Sequence, residues 1–184
     1  MKPGVRALGV AESYRGDESV LAGAVVRASR VVDGFVFDTC TVGGTDATAA
    51  VCDLVGALDR EDVRYLIVAG VAPAWYNVLD LAAIRDRTER PVLAVTFEAS
   101  SGLESSLRAE FDGEALDTRL RRYRGLPERH RLAVNDQNLY VRAVGADPAE
   151  ARDVVRAFTP EGGRPEPLRV ARLAARAADA WRTS

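Results

Sequence analysis

Arg64-Tyr65-Leu66-Ile67-Val68-Ala69-Gly70 and Pro91-Val92-Leu93-Ala94-Val95-Thr96-Phe97 are two apolar runs, with a helix-forming stretch from about Asn77 to Arg85 between them. Each run is short, apolar and bounded by glycine or proline, the pattern of a buried strand. A helix between two strands carries the chain back to the end where it started. The two strands are therefore expected as parallel neighbours, because only a crossover connection permits that arrangement. A loop with Pro73 and Trp75 leads into the helix.

Towards the N-terminus, Val5 to Val10 reads as a strand and the polar stretch Glu12 to Asp17, with Gly16, as a turn. Val20 to Ala28 and Val31 to Val42 read as two further strands, joined near Arg30 or at Asp33-Gly34. The three form an antiparallel meander. Thr45-Asp46 marks a helix start, since such side chains accept bonds from first-turn amides. Thr48, Val51, Cys52, Val55 and Leu58 then recur on one helical face. Towards the C-terminus, 101–124 is charged and helical, and Leu139 to Val144 is a last strand. Pro148 opens one helix at its favoured position. Pro165-Glu166-Pro167 opens the final one, with Leu168, Ala171, Ala175, Ala178 and Trp181 expected to face the core. The reading is a single α/β domain over 1–184 with a mixed sheet of five or six strands. The strand at 5–11 should lie beside 64–69, with the 165–181 helix near their ends.

Composition narrows the function. The chain of 184 residues is 47% hydrophobic and 28% charged, and its formal net charge is −2. No apolar run approaches the roughly 18 residues of a membrane span, and no secretory leader is visible, so a cytoplasmic address is expected. Weak net charge places any nucleic-acid footprint on a local patch. Lys2 is the one lysine among 25 basic residues; the arginine skew points to a GC-rich or salt-adapted source. Cys40, Cys52 and the lone His130 make neither a zinc site nor a catalytic triad. Gly43-Gly44 ahead of a helix is a weak anion-binding signal.

Four stretches resemble the archaeal endonuclease dU family, related to endonuclease V. Leu8-Gly9-Val10-Ala11-Glu12 stands where that family reads Gly-Ile-Asp-Asp. Val42-Gly43-Gly44-Thr45-Asp46-Ala47-Thr48 is similar to its Val-Asp-Gly-Thr-Asp-Ala-Thr. Leu66 to Val71 with Tyr76-Asn77-Val78-Leu79-Asp80 resembles Leu-Asp-Gly followed by Phe-Asn-Val-Val-Asp. Pro165-Glu166-Pro167-Leu168-Arg169-Val170-Ala171-Arg172 is similar to Pro-Glu-Pro-Leu-Arg-x-Ala-His. The resemblance implies a ribonuclease H-like fold and a metal-dependent nuclease of DNA repair, acting on deaminated-base DNA. In such enzymes Mg²⁺ bridges the scissile phosphate and activates water.

This chain departs from the pattern at the residues that matter. Ala11, Gly43 and Ala69 occupy positions of family acids, and Arg172 that of a His or acid. Phe97-Glu98 stands in place of an Arg-Lys pair. A degenerate site with reduced or no nuclease activity is therefore expected, without a resident metal, and retained to bind DNA, RNA or a protein partner, another copy included. The alternative is an active Mg²⁺-dependent enzyme with displaced ligands Glu12, Asp46 or Asp80. Each also has a bland role: Glu12 as a solvent-facing turn carboxylate, Asp46 as a cap, and Asp80 with Asn77 in a first helical turn. Arg169, Arg172 and Arg176 form a basic stripe beside the expected cleft, the favoured nucleic-acid candidate together with Asn77. Arg119, Arg121, Arg122, Arg124, Arg129 and Arg131, with Tyr123 interleaved, form a second basic cluster that could track a phosphate backbone but reads first as a solvated surface. Arg172 is further expected to enter the cleft and pair with Glu98, or failing that Glu12.

Overall fold

Residues 1–184 are described by a computed structural model. β4 (Val63–Ala69) and β5 (Val92–Thr96) are parallel neighbours, with Ile67 beside Leu93. β1 (Arg6–Tyr14) lies on the other side of β4 and parallel to it, with Gly9 beside Ile67. β2 (Glu18–Arg27) and β3 (Val32–Thr41) complete the antiparallel meander. The pairings expected from the sequence hold.

The sheet has seven strands rather than five or six, in the order β3-β2-β1-β4-β5-β7-β6. The addition is β6 (His130–Val134), which forms a hairpin with β7 (Gln137–Val144). Its two-residue turn is Asn135-Asp136, both with positive φ (48° and 62°). That conformation matches the twist of paired strands and favours Asn and Asp. β7 runs antiparallel to β5.

Alternation along the strands builds two cores, because successive residues point to opposite faces. Leu8, Val10, Leu66 and Val68 join α1 (Ala47–Leu58) and α3 (Leu81–Thr88) on one face. Ala7, Tyr65, Ile67 and Leu93 join α6 (Pro148–Ala157) and the start of α7 (Glu166–Arg182) on the other. Helix α7 crosses β1 and β2 closely, over Ala11, Ala24 and Val26. Gly9 allows this approach: a Cβ there would lie 2.3 Å from the carbonyl carbon and oxygen of Pro167.

Two local readings are corrected. Ala178 is only half buried and Trp181 is 80% exposed, so the core stripe of α7 stops at Ala175. The last turns of the helix contact the sheet through polar groups instead: buried Asp179 accepts from the Ser13 hydroxyl at 3.0 Å, and Arg182 pairs with Glu18. The helix read from Asn77 also starts four residues late, after a loop with a tight turn of its own. Ala74, Trp75 and Tyr76 have φ of 49°, 54° and 62°, a left-handed turn within the short segment α2 (Pro73–Tyr76). Regular helix resumes only at Leu81, capped by Asp80, whose carboxylate accepts from the Ala83 amide at 2.9 Å. The charged 101–124 stretch forms α4 (Glu104–Glu110) and α5 (Gly113–Arg124).

Candidate nucleic-acid cleft

The C-terminal ends of β1, β4 and β5 open into a cleft of about 560 Å³, walled by β7, α5 and α7. Open α/β sheets commonly place ligands outside the carboxyl ends of parallel strands. Glu12, Ala69, Thr96, Glu98 and Arg172 line it, as do three arginine–aromatic pairs. Arg164 lies over the Phe97 ring at 4.1 Å, Arg129 over Tyr140 at 4.8 Å and Arg142 over Tyr123 at 5.7 Å.

These pairs differ in how firmly they are held. Arg129 donates to the Ser100 carbonyl at 2.6 Å, and Arg142 to the Pro127 carbonyl. Burial pushes the Arg142 pKa below the usual arginine value, and neighbouring Arg129 lowers it further. Arg164 is shifted in the same direction, by burial first and then by Arg172. Neither Arg164 nor Arg172 pairs with a carboxylate. The four cleft arginines face two carboxylates, Glu12 and Glu98. The lining is therefore cationic in a chain whose formal net charge is −2, and a cleft with low-dielectric walls concentrates such a field.

The expected charge swap does not form. Arg172 reaches the cleft wall but is exposed and makes no ion pair with Glu98 or Glu12. Glu12 instead accepts from the Ser19 hydroxyl at 2.8 Å. The basic stripe on α7 divides as well. Arg169 folds back onto Glu166 at 2.8 Å, and Arg176 is exposed outside the cleft lining.

The remaining candidates serve the framework on the other side of the sheet. Asp46 accepts from the Thr41 amide and hydroxyl and from the Asn77 side chain at 2.7 Å. Burial raises its pKa, but the bonds from Asn77 and Thr41 outweigh this and hold it below the ordinary value. It stands at the N-cap position of α1 without capping it. Fully buried Asn77 does that work, accepting from the Ala47 amide at 3.0 Å. Neither Asp46 nor Asp80 lines the cleft beside Glu12. Arg119, read as part of a surface cluster, is only 4% exposed. It donates to the carbonyls of Tyr76, Gly43 and Gly44, so that turn offers acceptors inward rather than an anion cradle. Cys40 is inert as a nucleophile, its thiol pushed up to about 12 mainly by burial.

A Mg²⁺ ion takes near-octahedral oxygen ligation with at least one or two carboxylates. Ala11 packs beneath Val170 and Ala171, and Ala69 packs beside them. Gly43 has φ +68°, and a Cβ there would meet the Trp75 ring at 2.8 Å. No three His, Cys, Asp or Glu side chains gather in a metal-holding arrangement. The residues present do not fit the ion.

The family model described as endonuclease dU matches residues 3–179. The chain belongs to the endonuclease dU family. A UPF0215 protein of Pyrobaculum calidifontis is 34% identical over 171 residues, covering 91% of this chain and 93% of that one. Among solved structures, a protein of unknown function from Archaeoglobus fulgidus aligns with a TM-score of 0.85 at 26% identity, covering 94% and 97% of the two chains. Human ENDOV aligns with a TM-score of 0.67 at 15% identity, covering 97% of this chain and 86% of its own. Endonuclease V of Ciona intestinalis, in complex with a 23mer DNA containing an inosine, aligns at 0.65 and 11% identity over 96% and 86%. The sheet of this endonuclease dU family member is thus of the ribonuclease H-like type.

The arginine–aromatic lining was not visible in advance as a set. Tyr140 and Arg142 are two apart on β7 and so share a face, a signal present in the sequence. Their partners on α5 and in the loops come from remote segments, which no spacing links.

Proposed function

We propose that this endonuclease dU family member holds a nucleic-acid strand in the cleft, with its metal-dependent nuclease step reduced or lost. The observation that carries the reading is the composition of the cleft: Ala69 at the end of β4 faces a wall of four arginines, while Ala11 of β1 packs under α7. Arginine suits phosphate oxygens through its planar fork of donors. Arginine and aromatic planes also stack on unpaired bases, worth about 1–3 kcal/mol per base. Phosphodiester hydrolysis, by contrast, needs a group to activate water and another to neutralise the developing charge. A metal supplies both, each worth several kcal/mol. The bases that the family processes, in DNA repair in the cytoplasm, are the ligands to try first.

A second reading rests on Glu12, whose side chain lines the cleft beside Ala69. In that reading Glu12 is a displaced ligand in an active, Mg²⁺-dependent endonuclease for uracil-containing DNA. One experiment separates the two. Uracil- and inosine-containing oligonucleotides are incubated with the protein and Mg²⁺ or Mn²⁺, while binding is followed by fluorescence anisotropy in EDTA. The proposal expects binding in EDTA with little or no cleavage. Robust metal-dependent cleavage that disappears in Glu12→Gln establishes the second reading instead.

A further inference from the structure

Of the two edge strands of the sheet, β3 is the longer, ten residues against five in β6, and has neither lysine nor proline. Such an edge offers unpaired amides and carbonyls to another strand, and natural proteins usually blunt it with those residues or cover it. Antiparallel pairing with β2 leaves alternate residues of β3 facing outwards. Thr41 identifies which ones, because its amide and carbonyl bond to Asp46 and Asn77 rather than to β2. Phe35, Phe37 and Thr39 share its parity, so their backbone groups also point away from β2. Both phenylalanines are 49% exposed. With Ala174, Ala177, Ala178 and the exposed Trp181 of α7 they line an apolar groove of about 720 Å³.

From the free edge and this groove together we infer that β3 pairs antiparallel with β3 of a second copy of the chain, forming a two-fold dimer. The register with Val36 on the axis is self-complementary. It sets Phe35 opposite Phe37 of the second copy, twice, and cross-strand aromatic pairs of this kind are favourable. Asp38 faces Gly34 rather than another acid, so no like charges oppose. The Asp33 carbonyl already receives Arg60, and the Thr39 amide already donates to Asp38. In this register those two occupied groups fall opposite each other, and the free groups of Phe35 and Phe37 meet free groups. An isologous patch of this kind closes on itself and does not propagate into fibres. The apolar ends of the two α7 helices would then lie over the joined strands, covering Trp181. The inference goes beyond the cleft reading and does not rest on it, since β4 and β5 lie at least three positions away in the sheet.

Sedimentation velocity of the full chain over a concentration series, without nucleic acid, tests it. The wild type is expected as a dimer at tens of micromolar. Phe37→Lys and, independently, Trp181→Lys should each weaken the dimer by about tenfold or more, as for aromatic residues central to an interface. Both side chains are substantially exposed, so circular dichroism should show unchanged folding; Trp181→Lys remains informative if Phe37→Lys disturbs the strand. A wild type that stays monomeric at the highest concentration overturns the inference, as does a dimer that both variants leave intact.

Discussion

Asp33 shows how one side chain binds the N-terminal meander together. Its carboxylate accepts from Arg27 and Arg6 at 2.6 Å each. Those bonds, from Arg27 first and Arg6 second, lower its pKa from 3.8 to about 2. A carboxylate with a depressed folded pKa contributes stability above its unfolded value and loses it as the pH falls through the folded one. Thermal midpoints should therefore decline between about pH 4 and pH 2 in the wild type. In Asp33→Asn that part of the decline should be missing, which a melting series across the range checks. The site residues divide at this scale between legible and illegible. That Ala11, Gly43, Ala69 and Arg172 supply no carboxylate follows from reading their identities. That Gly43 sits against the Trp75 ring with φ +68° depends on a left-handed turn 31 residues later in the chain, which its own surroundings do not announce. The expected Arg172–Glu98 pair failed for a related reason. Arg172 lies on a solvent-facing part of α7, where water rather than a carboxylate solvates its guanidinium.

Among the elements, the turn at Ala74–Tyr76 stands out energetically. Left-handed backbone costs a non-glycine residue about 1–2 kcal/mol, and here three follow one another. Arg119 of α5 offsets this by bonding the Tyr76 carbonyl and, from the same guanidinium, those of Gly43 and Gly44. Phe111 stacks on it at 3.9 Å and also packs against Trp75 and Tyr76. Arg119→Met should destabilise the protein by about 2–4 kcal/mol, because it leaves three part-buried carbonyls without their shared donor. Urea unfolding measures the loss, and hydrogen exchange should show faster amide exchange near 74–77 than elsewhere. The strands and long helices were legible because their periodicity is strong and their partners are near in sequence. The strand β6 was missed although Asn135-Asp136 carries a hairpin signal, since its flanks are short and polar. The helix expected from Asn77 starts only at Leu81, behind a turn held by remote contacts from Gly43, Phe111 and Arg119.

At the level of the whole molecule, charge is spread unevenly, and the cleft holds the cationic part. Neutralising phosphates with arginines releases counterions, so affinity should fall steeply with salt. Arg172→Ala should weaken binding of an oligonucleotide across sequences and reduce the slope of log affinity against log salt by about 1. Because Arg172 is exposed and unpaired, its loss should change stability by no more than about 0.5 kcal/mol. An unchanged slope with an unfolded or weakened protein would assign the residue a structural role instead. The overall plan, a meander followed by strand–helix–strand, was readable because each strand carries its own apolar pattern. The cleft was not, because its arginines and rings come from β5's end, α5, β7 and the segment before α7.

The direction of β1 has a practical side. The chain's one lysine, Lys2, precedes β1, and that strand runs from there towards the cleft at its far end. Amine-reactive chemistry aimed at side chains therefore has a single address, at the end of β1 opposite the cleft arginines. A protein tethered to a sensor surface through Lys2 would present its cleft to the solution in one uniform orientation. The same reagents would leave every arginine of the cleft unmodified.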